Sequence, residues 1–167
     1  MKQWQKDGRL YLAIAFAVMA ILFYSSSQTY AQQSQIGLLE RVLKNQPFLD
    51  QLQTISFVYA GKEISIAADG YFSFVEFFVR KGAHFGTYLV MGGSLFLGLL
   101  PRMKSYPLTA VVAWLAAVGY AGLDEFHQMI TGGRTPLFQD VMLDASGAGT
   151  AIILCMIWSF IRKRRTF

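Results

Sequence analysis

Ionisable side chains are concentrated at the edges of the apolar segments of this sequence, where a charged group is costly and needs an explanation. Lys81, His84 and Tyr88 are spaced three and four residues apart, so they would share one face of a helix, with Arg80 beside them. Two further groups follow along the chain: Asp124, Glu125, His127, Gln128 and Arg134, then Asp140 and Asp144. We expect the three groups, although distant in sequence, to meet at one end of a helical bundle.

The cationic members of this set favour an anion-binding site. The ammonium of Lys81 and the guanidinium of Arg134 can pair with phosphate or carboxylate, and the glycines at 132–133 can offer backbone N–H groups. The candidate ligand-binding residues are Arg80, Lys81, Tyr88, Asp124, Gln128, Arg134, Asp140 and Asp144. Such a site would suit the anionic group of a lipid or of a lipidated molecule.

The histidines also permit acid–base catalysis. A carboxylate next to an imidazole fixes its tautomer, so His84 or His127 together with Glu125 has the parts of a general acid–base pair. No serine or cysteine lies in a recognisable nucleophile motif, and the segment 124–127 matches no known metal-ligand spacing. The sequence therefore leaves enzymatic activity open and predicts neither a metal nor a cofactor.

A purely structural role is the alternative for each of these residues. Asp140 could cap the start of a helix, and His84 could hydrogen-bond between helices. Arg80 and Arg134 could pair with nearby carboxylates. Packing explains any one of these residues more easily than it explains the whole set at one end of a bundle, so we favour a binding site.

The elements that must position these residues are predicted to be membrane-spanning helices. Of the 167 residues, 54% are hydrophobic and only 15% are charged, whereas a soluble domain carries about a quarter charged residues. Four apolar runs, at about 10–24, 83–100, 107–123 and 145–161, are predicted to cross the roughly 30 Å hydrocarbon core as helices. The single Cys155 excludes an internal disulfide. The sequence thus predicts an all-α integral membrane protein with four transmembrane helices.

The distribution of basic residues predicts the orientation of the spans. With both termini in the cytoplasm, the segments 1–9, 101–106 and 162–167 hold nine Lys and Arg residues and one acid, while the rest of the chain holds six bases and nine acids. This is a positive-inside pattern. The basic cluster at 162–165 suits anionic lipid headgroups better than nucleic acid. We therefore expect cytoplasmic N- and C-termini, membrane lipids as partners, and no nucleic acid.

The N-terminal segment permits a second interpretation. Its basic start and short apolar run, followed by Thr29-Tyr30-Ala31, could form a signal peptide that is cleaved after Ala31, which would leave three spans. We favour a retained first helix, because Ser25-Ser26-Ser27-Gln28 is typical of a helix end rather than of an extended cleavage site.

The residues between the first two spans, 25–80, form an extracytoplasmic insert within a single domain that covers 1–167. Its segment 32–44 has apolar residues at helical spacing and predicts a short surface helix. Residues 55–67 alternate in polarity around a central Gly61 and predict a β-hairpin. The aromatic stretch 71–78 is typical of a membrane interface.

Several of these residues resemble the signatures of the VanZ-like membrane protein family. The similar segments are Val79–Phe85 with Tyr88, Asp124–Gln128 with Gly133-Arg134, Asp140-Val141-x-x-Asp144-x-x-Gly147, and the polar helix exit Ser25–Gln28. They cover spans two to four fully and the first span loosely. The chain departs from the family pattern at Gly132, where proline is usual, and in its long insert.

The resemblance implies a topology and the location of a site, but no reaction. The family is named for a protein associated with low-level resistance to the glycopeptide antibiotic teicoplanin. A bacterial plasma membrane, a role in the cell envelope and a link to glycopeptide resistance are therefore expectations that come from the resemblance.

Three functions fit the sequence. The first, which we favour, is binding of an anionic lipid-linked or lipidated ligand, such as an envelope lipid or a lipoglycopeptide, at the outer leaflet. The second is an enzyme that uses an acid–base pair on an envelope lipid. The third is a structural or partner-binding membrane protein whose polar cluster locks the helices together, with a protein partner that the sequence does not name.

Overall fold

The computed structural model describes residues 7–132 and 135–164, which form four long helices and a small insert. The elements in chain order are α1 (Arg9–Ser26), α2 (Tyr30–Gln33), α3 (Ile36–Val42), α4 (Leu49–Leu52), β1 (Ser56–Tyr59), β2 (Lys62–Ser65), α5 (Ile66–Asp69), α6 (Tyr71–Met103), α7 (Tyr106–Gly132) and α8 (Phe138–Arg164). Helices α1, α6, α7 and α8 are each long and apolar enough to cross a membrane. The predicted all-α membrane fold is confirmed, and the chain is a multi-pass membrane protein.

The long helices run alternately in opposite directions. At one end of the bundle, Arg102 Nη1 of α6 donates a hydrogen bond to the carbonyl oxygen of Asp7, 2.8 Å away, just before α1 begins. At the other end, Ser26 of α1 contacts Asp124 of α7. The insert connects α1 to α6 at this second end, which we call the insert end.

Helix α6 extends furthest beyond its predicted apolar run. It begins at Tyr71 rather than at residue 83, and its 33 residues span about 50 Å, well over the thickness of a hydrocarbon core. The apolar pattern stops short because Glu76, Arg80 and Lys81 interrupt it. These polar side chains have partners in the insert, and α6 therefore continues through their positions as a regular helix.

Helices α6 and α8 approach each other very closely. A Cβ added to Gly92 would lie 2.6 Å from the Cα of Ala148, and one added to Gly147 would lie 2.5 Å from the carbonyl oxygen of Phe85. Neither position has room for a side chain. Small residues thus let the two helices pack backbone to backbone, which fixes the rotation of the polar faces above them.

Helix α7 uses an alanine face for the same purpose. Ala113, Ala117 and Ala121 recur every four residues and are fully buried. Beside this face, Trp114 Nε1 donates a hydrogen bond to the carbonyl oxygen of Ala145 on α8, 3.0 Å away. The alanine face places α7 close to its neighbours.

The insert contains the predicted hairpin. Strands β1 and β2 pair antiparallel, with Ser56 opposite Ser65 and Tyr59 opposite Lys62. Ala60 and Gly61 both adopt positive φ angles, of 51° and 81°, as a tight two-residue turn requires.

The predicted surface helix over 32–44 is present in a different form. It is divided into α2 and α3, because Ser34 has an extended backbone conformation and ends α2. The backbone N–H of Gln35, exposed by this break, donates a hydrogen bond of 2.5 Å to Glu76 Oε1 of α6. The break therefore ties the insert to α6.

Candidate functional site

A cavity of about 490 Å³ lies at the insert end of the bundle. It is bounded by the insert end of α6, by Glu125 and Gln128 of α7, by Asp140 of α8, and by the hairpin. Its size falls within the range of small-molecule binding sites. Members of all three polar groups, which are distant in sequence, therefore meet at a single cavity.

Tyr59 of β1 connects the hairpin to α8 at this cavity. Its phenol donates a 2.5 Å hydrogen bond to Asp140 Oδ1, and Lys81 Nζ lies 2.6 Å from the same oxygen. The ammonium of Lys81 also lies 4.8 Å from the centre of the Tyr59 ring, a cation–π contact. Burial and the Asp140 carboxylate raise the pKa of Tyr59, so the phenol stays protonated and remains the donor.

Arg80 has a guanidinium that no carboxylate of the described residues pairs with. Its guanidinium lies 4.7 Å from the centre of the Tyr30 ring, and Nη2 lies 3.4 Å from Gln33 Oε1. Within residues 7–132 and 135–164, Nη1 is buried without a hydrogen-bond partner, and no carboxylate forms an ion pair with Arg80. A buried, unsatisfied donor of this kind is rare in proteins and fits an anionic ligand.

Glu76 is a cavity residue that the sequence analysis did not identify. It is only 1% exposed and accepts hydrogen bonds from the Gln35 backbone N–H and from the phenol of Tyr30. Burial, followed by the nearby Glu76, raises the pKa of Tyr30. The available signal was the four-residue spacing between Glu76 and Arg80, which places both on one face of α6 once the helix is extended to Tyr71.

His84 lines the cavity with Asp144 behind it. The imidazole Nδ1 lies 3.6 Å from Asp144 Oδ2, and the Asp144 side chain is 2% exposed. Asp144 Oδ1 and the hydroxyl of Tyr88, one helical turn below His84, are buried without a partner among the described residues. The partner of His84 is thus Asp144, whereas the sequence analysis paired it with Glu125.

Glu125 faces the cavity from α7. Its carboxylate is buried, and Oε2 accepts a 2.9 Å hydrogen bond from the backbone N–H of Leu137, in the segment that leads into α8. Gln128, on the next turn of α7, also lines the cavity. Glu125 therefore contributes a carboxylate to the site from a different helix than Arg80 does.

Asp124 belongs to a separate contact between α7 and α1. Its Oδ1 accepts a 2.6 Å hydrogen bond from the Ser26 hydroxyl, and its Oδ2 accepts one of 3.0 Å from Gln128 Nε2. Thr131 adds a hydrogen bond of 2.8 Å to the carbonyl oxygen of Ser26. The polar end of α1 therefore serves to anchor this helix to α7.

His127 also lies on the α1 side rather than in the cavity lining. Its ring stacks on that of Phe23, with 4.4 Å between the ring centres and 11° between the planes. Its Nδ1 is buried without a partner among the described residues.

The structure thus divides the predicted site residues into groups. Arg80, Lys81, His84, Glu125, Gln128 and Asp140 line the cavity. Tyr88 and Asp144 lie one turn beneath it, and Asp124 and His127 face α1. Arg134, together with Gly133, lies outside the described residues. Over the described part of the chain, no group of three His, Cys, Asp or Glu side chains is placed to hold a metal ion.

Comparison with protein-family models identifies the family of the chain. No curated protein and no solved structure matches the chain. The model of the VanZ/LLP1 family matches residues 11–159, which include all of α6 and α7, most of α1 and α8, and every cavity residue described above. The chain therefore belongs to the VanZ/LLP1 family.

Proposed function

We propose that this VanZ/LLP1 membrane protein binds the anionic headgroup of a cell-envelope lipid in the cavity at the insert end. The observation that carries the proposal is Arg80, a cavity-lining guanidinium with a buried, unpartnered nitrogen. The other two cations of the described lining are already neutralised, because Lys81 pairs with Asp140 and Lys62 pairs with Asp69 at 2.6 Å each. A phosphate or carboxylate would complete the pairing of Arg80.

The depth of the cavity supports a lipid as the source of this anion. The cavity lies where α6, α7 and α8 leave their apolar spans, which is the level at which headgroups meet protein. With basic residues concentrated near the opposite end, the positive-inside rule places the insert end outside the cytoplasm. The ligand would therefore come from the outer leaflet of the bacterial plasma membrane.

Native mass spectrometry of the detergent-purified protein with added phosphatidylglycerol tests this proposal. We expect Arg80→Gln to lower lipid retention by about tenfold or more, since a charge-assisted hydrogen bond contributes about 1.5–3 kcal/mol. Arg41→Gln is the matched control: it removes the same charge from an exposed position on α3 that does not line the cavity.

Retention by Arg80→Gln equal to that of the wild type would refute the proposal. If both proteins were folded and neither retained lipid, the structural interpretation of the polar cluster would be supported instead. Unfolding temperature, measured on the same samples, distinguishes a lost contact from a lost fold.

A second candidate function is ester hydrolysis on the bound lipid, and the His84–Asp144 pair favours it. His84 lies one helical turn, about 6 Å, deeper along α6 than Arg80, and glycerolipid ester groups lie deeper than the phosphate. His84 would accept a proton from water as the water oxygen bonds to the ester carbon. The carbon–oxygen bond to the alcohol would break, and the proton would pass to the leaving oxygen. Asp144 would position the imidazole.

This second function predicts turnover that depends on one histidine. His84→Gln should retain lipid but abolish fatty-acid release measured by mass spectrometry. His127→Gln should keep both lipid retention and release, because His127 stacks on Phe23 outside the cavity lining. Release should also fall at low pH, where a protonated imidazole cannot accept a proton. Absence of release from the wild type at all pH values would exclude this candidate.

The family resemblance suggests a test of the binding proposal in living cells. Expression of the wild type should reduce susceptibility to teicoplanin, and Arg80→Gln should reverse this effect while Arg41→Gln should not. Equal susceptibility with and without the wild-type protein would separate lipid binding from antibiotic resistance.

A further inference from the structure

Among the described residues, the charges that line the cavity do not cancel. The described lining contains three cations, Lys62, Arg80 and Lys81, and four carboxylates, Asp69, Glu76, Glu125 and Asp140. Two ion pairs, Lys62–Asp69 and Lys81–Asp140, neutralise four of these seven groups. One cation, Arg80, and two carboxylates, Glu76 and Glu125, are left.

The two remaining carboxylates differ in how far the protein satisfies them. Each oxygen of Glu76 accepts a hydrogen bond, one from the Tyr30 phenol and one from the Gln35 backbone. Glu125 is 6% exposed and, among the described residues, accepts a hydrogen bond at Oε2 alone, from the Leu137 backbone. Over the described residues, no Lys, Arg or His nitrogen forms an ion pair with Glu125. In its ionised form, a buried carboxylate in this state is costly without a compensating cation.

We infer that the lipid headgroup carries an ammonium group as well as an anion, so that Arg80 binds the phosphate and Glu125 binds the ammonium. This inference rests on the proposed function and names its ligand class, a zwitterionic phosphoethanolamine headgroup. The aromatic rings that could otherwise attract an ammonium are engaged, since Lys81 already lies over Tyr59 and Phe77 at 4.8 and 5.6 Å. Of the two described carboxylates left without an ion pair, Glu76 has both oxygens hydrogen-bonded, so Glu125 is the one available to an ammonium.

The arrangement gives the cavity a polarity that a purely anionic headgroup would not match. Arg80 projects from α6 and Glu125 projects from α7, so opposite charges enter the cavity from two different helices. Phosphatidylglycerol would satisfy Arg80 but leave Glu125 unpaired, whereas phosphatidylethanolamine satisfies both. Specificity of this kind arises from the penalty for the unpaired group.

The test is competition between two lipids with identical acyl chains. Full-length protein is incubated with equal amounts of phosphatidylethanolamine and phosphatidylglycerol, and the bound lipids are counted by native mass spectrometry. We expect the wild type to prefer phosphatidylethanolamine by about tenfold, a preference that Glu125→Gln lowers to near one. Glu40→Gln, an exposed acid on α3 outside the cavity lining, should keep the wild-type preference.

A change in the lipid provides a check that does not depend on the folding of a variant. N-acetylation of phosphatidylethanolamine removes the ammonium charge and should lower binding to the wild type by a similar factor. Equal binding of the acetylated and free lipids would overturn the inference. So would Arg80-dependent binding without preference between the two headgroups, which would leave the proposed function intact. If Arg80→Gln retained these lipids as well as the wild type does, the proposed function itself would be refuted.

Discussion

At the scale of single residues, neighbouring polar groups on one helix have different tasks. Asp124 and Glu125 are adjacent in α7, but their side chains point about 100° apart around the helix. Asp124 bonds to Ser26 of α1, while Glu125 enters the cavity and accepts a hydrogen bond from Leu137. One carboxylate therefore holds the bundle together, and its neighbour is available to a ligand.

The contact between Ser26 and Asp124 predicts a specific effect on stability. Ser26→Ala removes a buried 2.6 Å hydrogen bond to a carboxylate, and we expect a loss of about 1–3 kcal/mol, seen as a lower unfolding temperature in detergent. Ser27→Ala is the control, because the Ser27 hydroxyl is exposed and bonds only within its own helix, to the Phe23 carbonyl oxygen. Equal unfolding temperatures for the two variants would contradict this role of Ser26.

At the scale of elements, the site depends on the close approach of α6 and α8. Lys81 and His84 of α6 face Asp140 and Asp144 of α8, and these pairs are 2.6 and 3.6 Å apart. Such distances require the helix axes to be near each other. The glycine at position 92 permits this, since a side chain there would collide with Ala148.

Substitutions at two glycines should therefore distinguish the effect of close helix packing on stability from the effect of helix propensity. Gly92→Ala places a Cβ 2.6 Å from the α8 backbone, and we expect it to destabilise the fold by about 1–3 kcal/mol and to weaken lipid retention. Gly122→Ala on α7 meets nothing within 4 Å, so it should be neutral or stabilise the helix by up to about 1 kcal/mol. Thermal unfolding and native mass spectrometry of both variants would measure the difference. Unchanged stability in Gly92→Ala would show that the helices can separate without cost.

At the scale of the whole molecule, the insert and the bundle form the site together. The hairpin contributes Tyr59, the short helix α2 contributes Tyr30, and the bundle contributes the charged residues that these tyrosines contact. The exposed apolar faces of the four long helices suit a lipid environment. The cavity therefore lies where the apolar spans meet the insert, which is the position that the proposed headgroup binding requires.

The proposed orientation can be measured by cysteine accessibility in whole cells. In a Cys155→Ser background, Gln53→Cys in the insert should react with a membrane-impermeant maleimide, whereas Ser105→Cys, between α6 and α7, should react only after permeabilisation. This outcome follows from the positive-inside distribution of Lys and Arg. The reverse labelling pattern would place the cavity on the cytoplasmic side and exclude an outer-leaflet ligand.

The sequence by itself determined the helical spans, because apolar runs and small-residue spacing are local properties. The runs at 107–123 and 145–161 lie within α7 and α8, the hairpin lies where its alternation predicts, and Ala113, Ala117 and Ala121 are buried. The sequence also indicated six polar residues of the described cavity lining, since charge is costly near a membrane and so is rarely placed there without a role.

Only the tertiary structure decided which of these residues meet. The orientation of each helix places His84 and Glu125 in the cavity lining, but it places their predicted companions His127 and Asp124 against α1. The contact between α6 and α8 makes Asp144 the partner of His84. The folded insert revealed Glu76 as a buried carboxylate, which the sequence pattern had left within an aromatic stretch. Pairing between side chains depends on the angles and distances between helices, and packing over the whole chain sets those quantities rather than the spacing along any one segment.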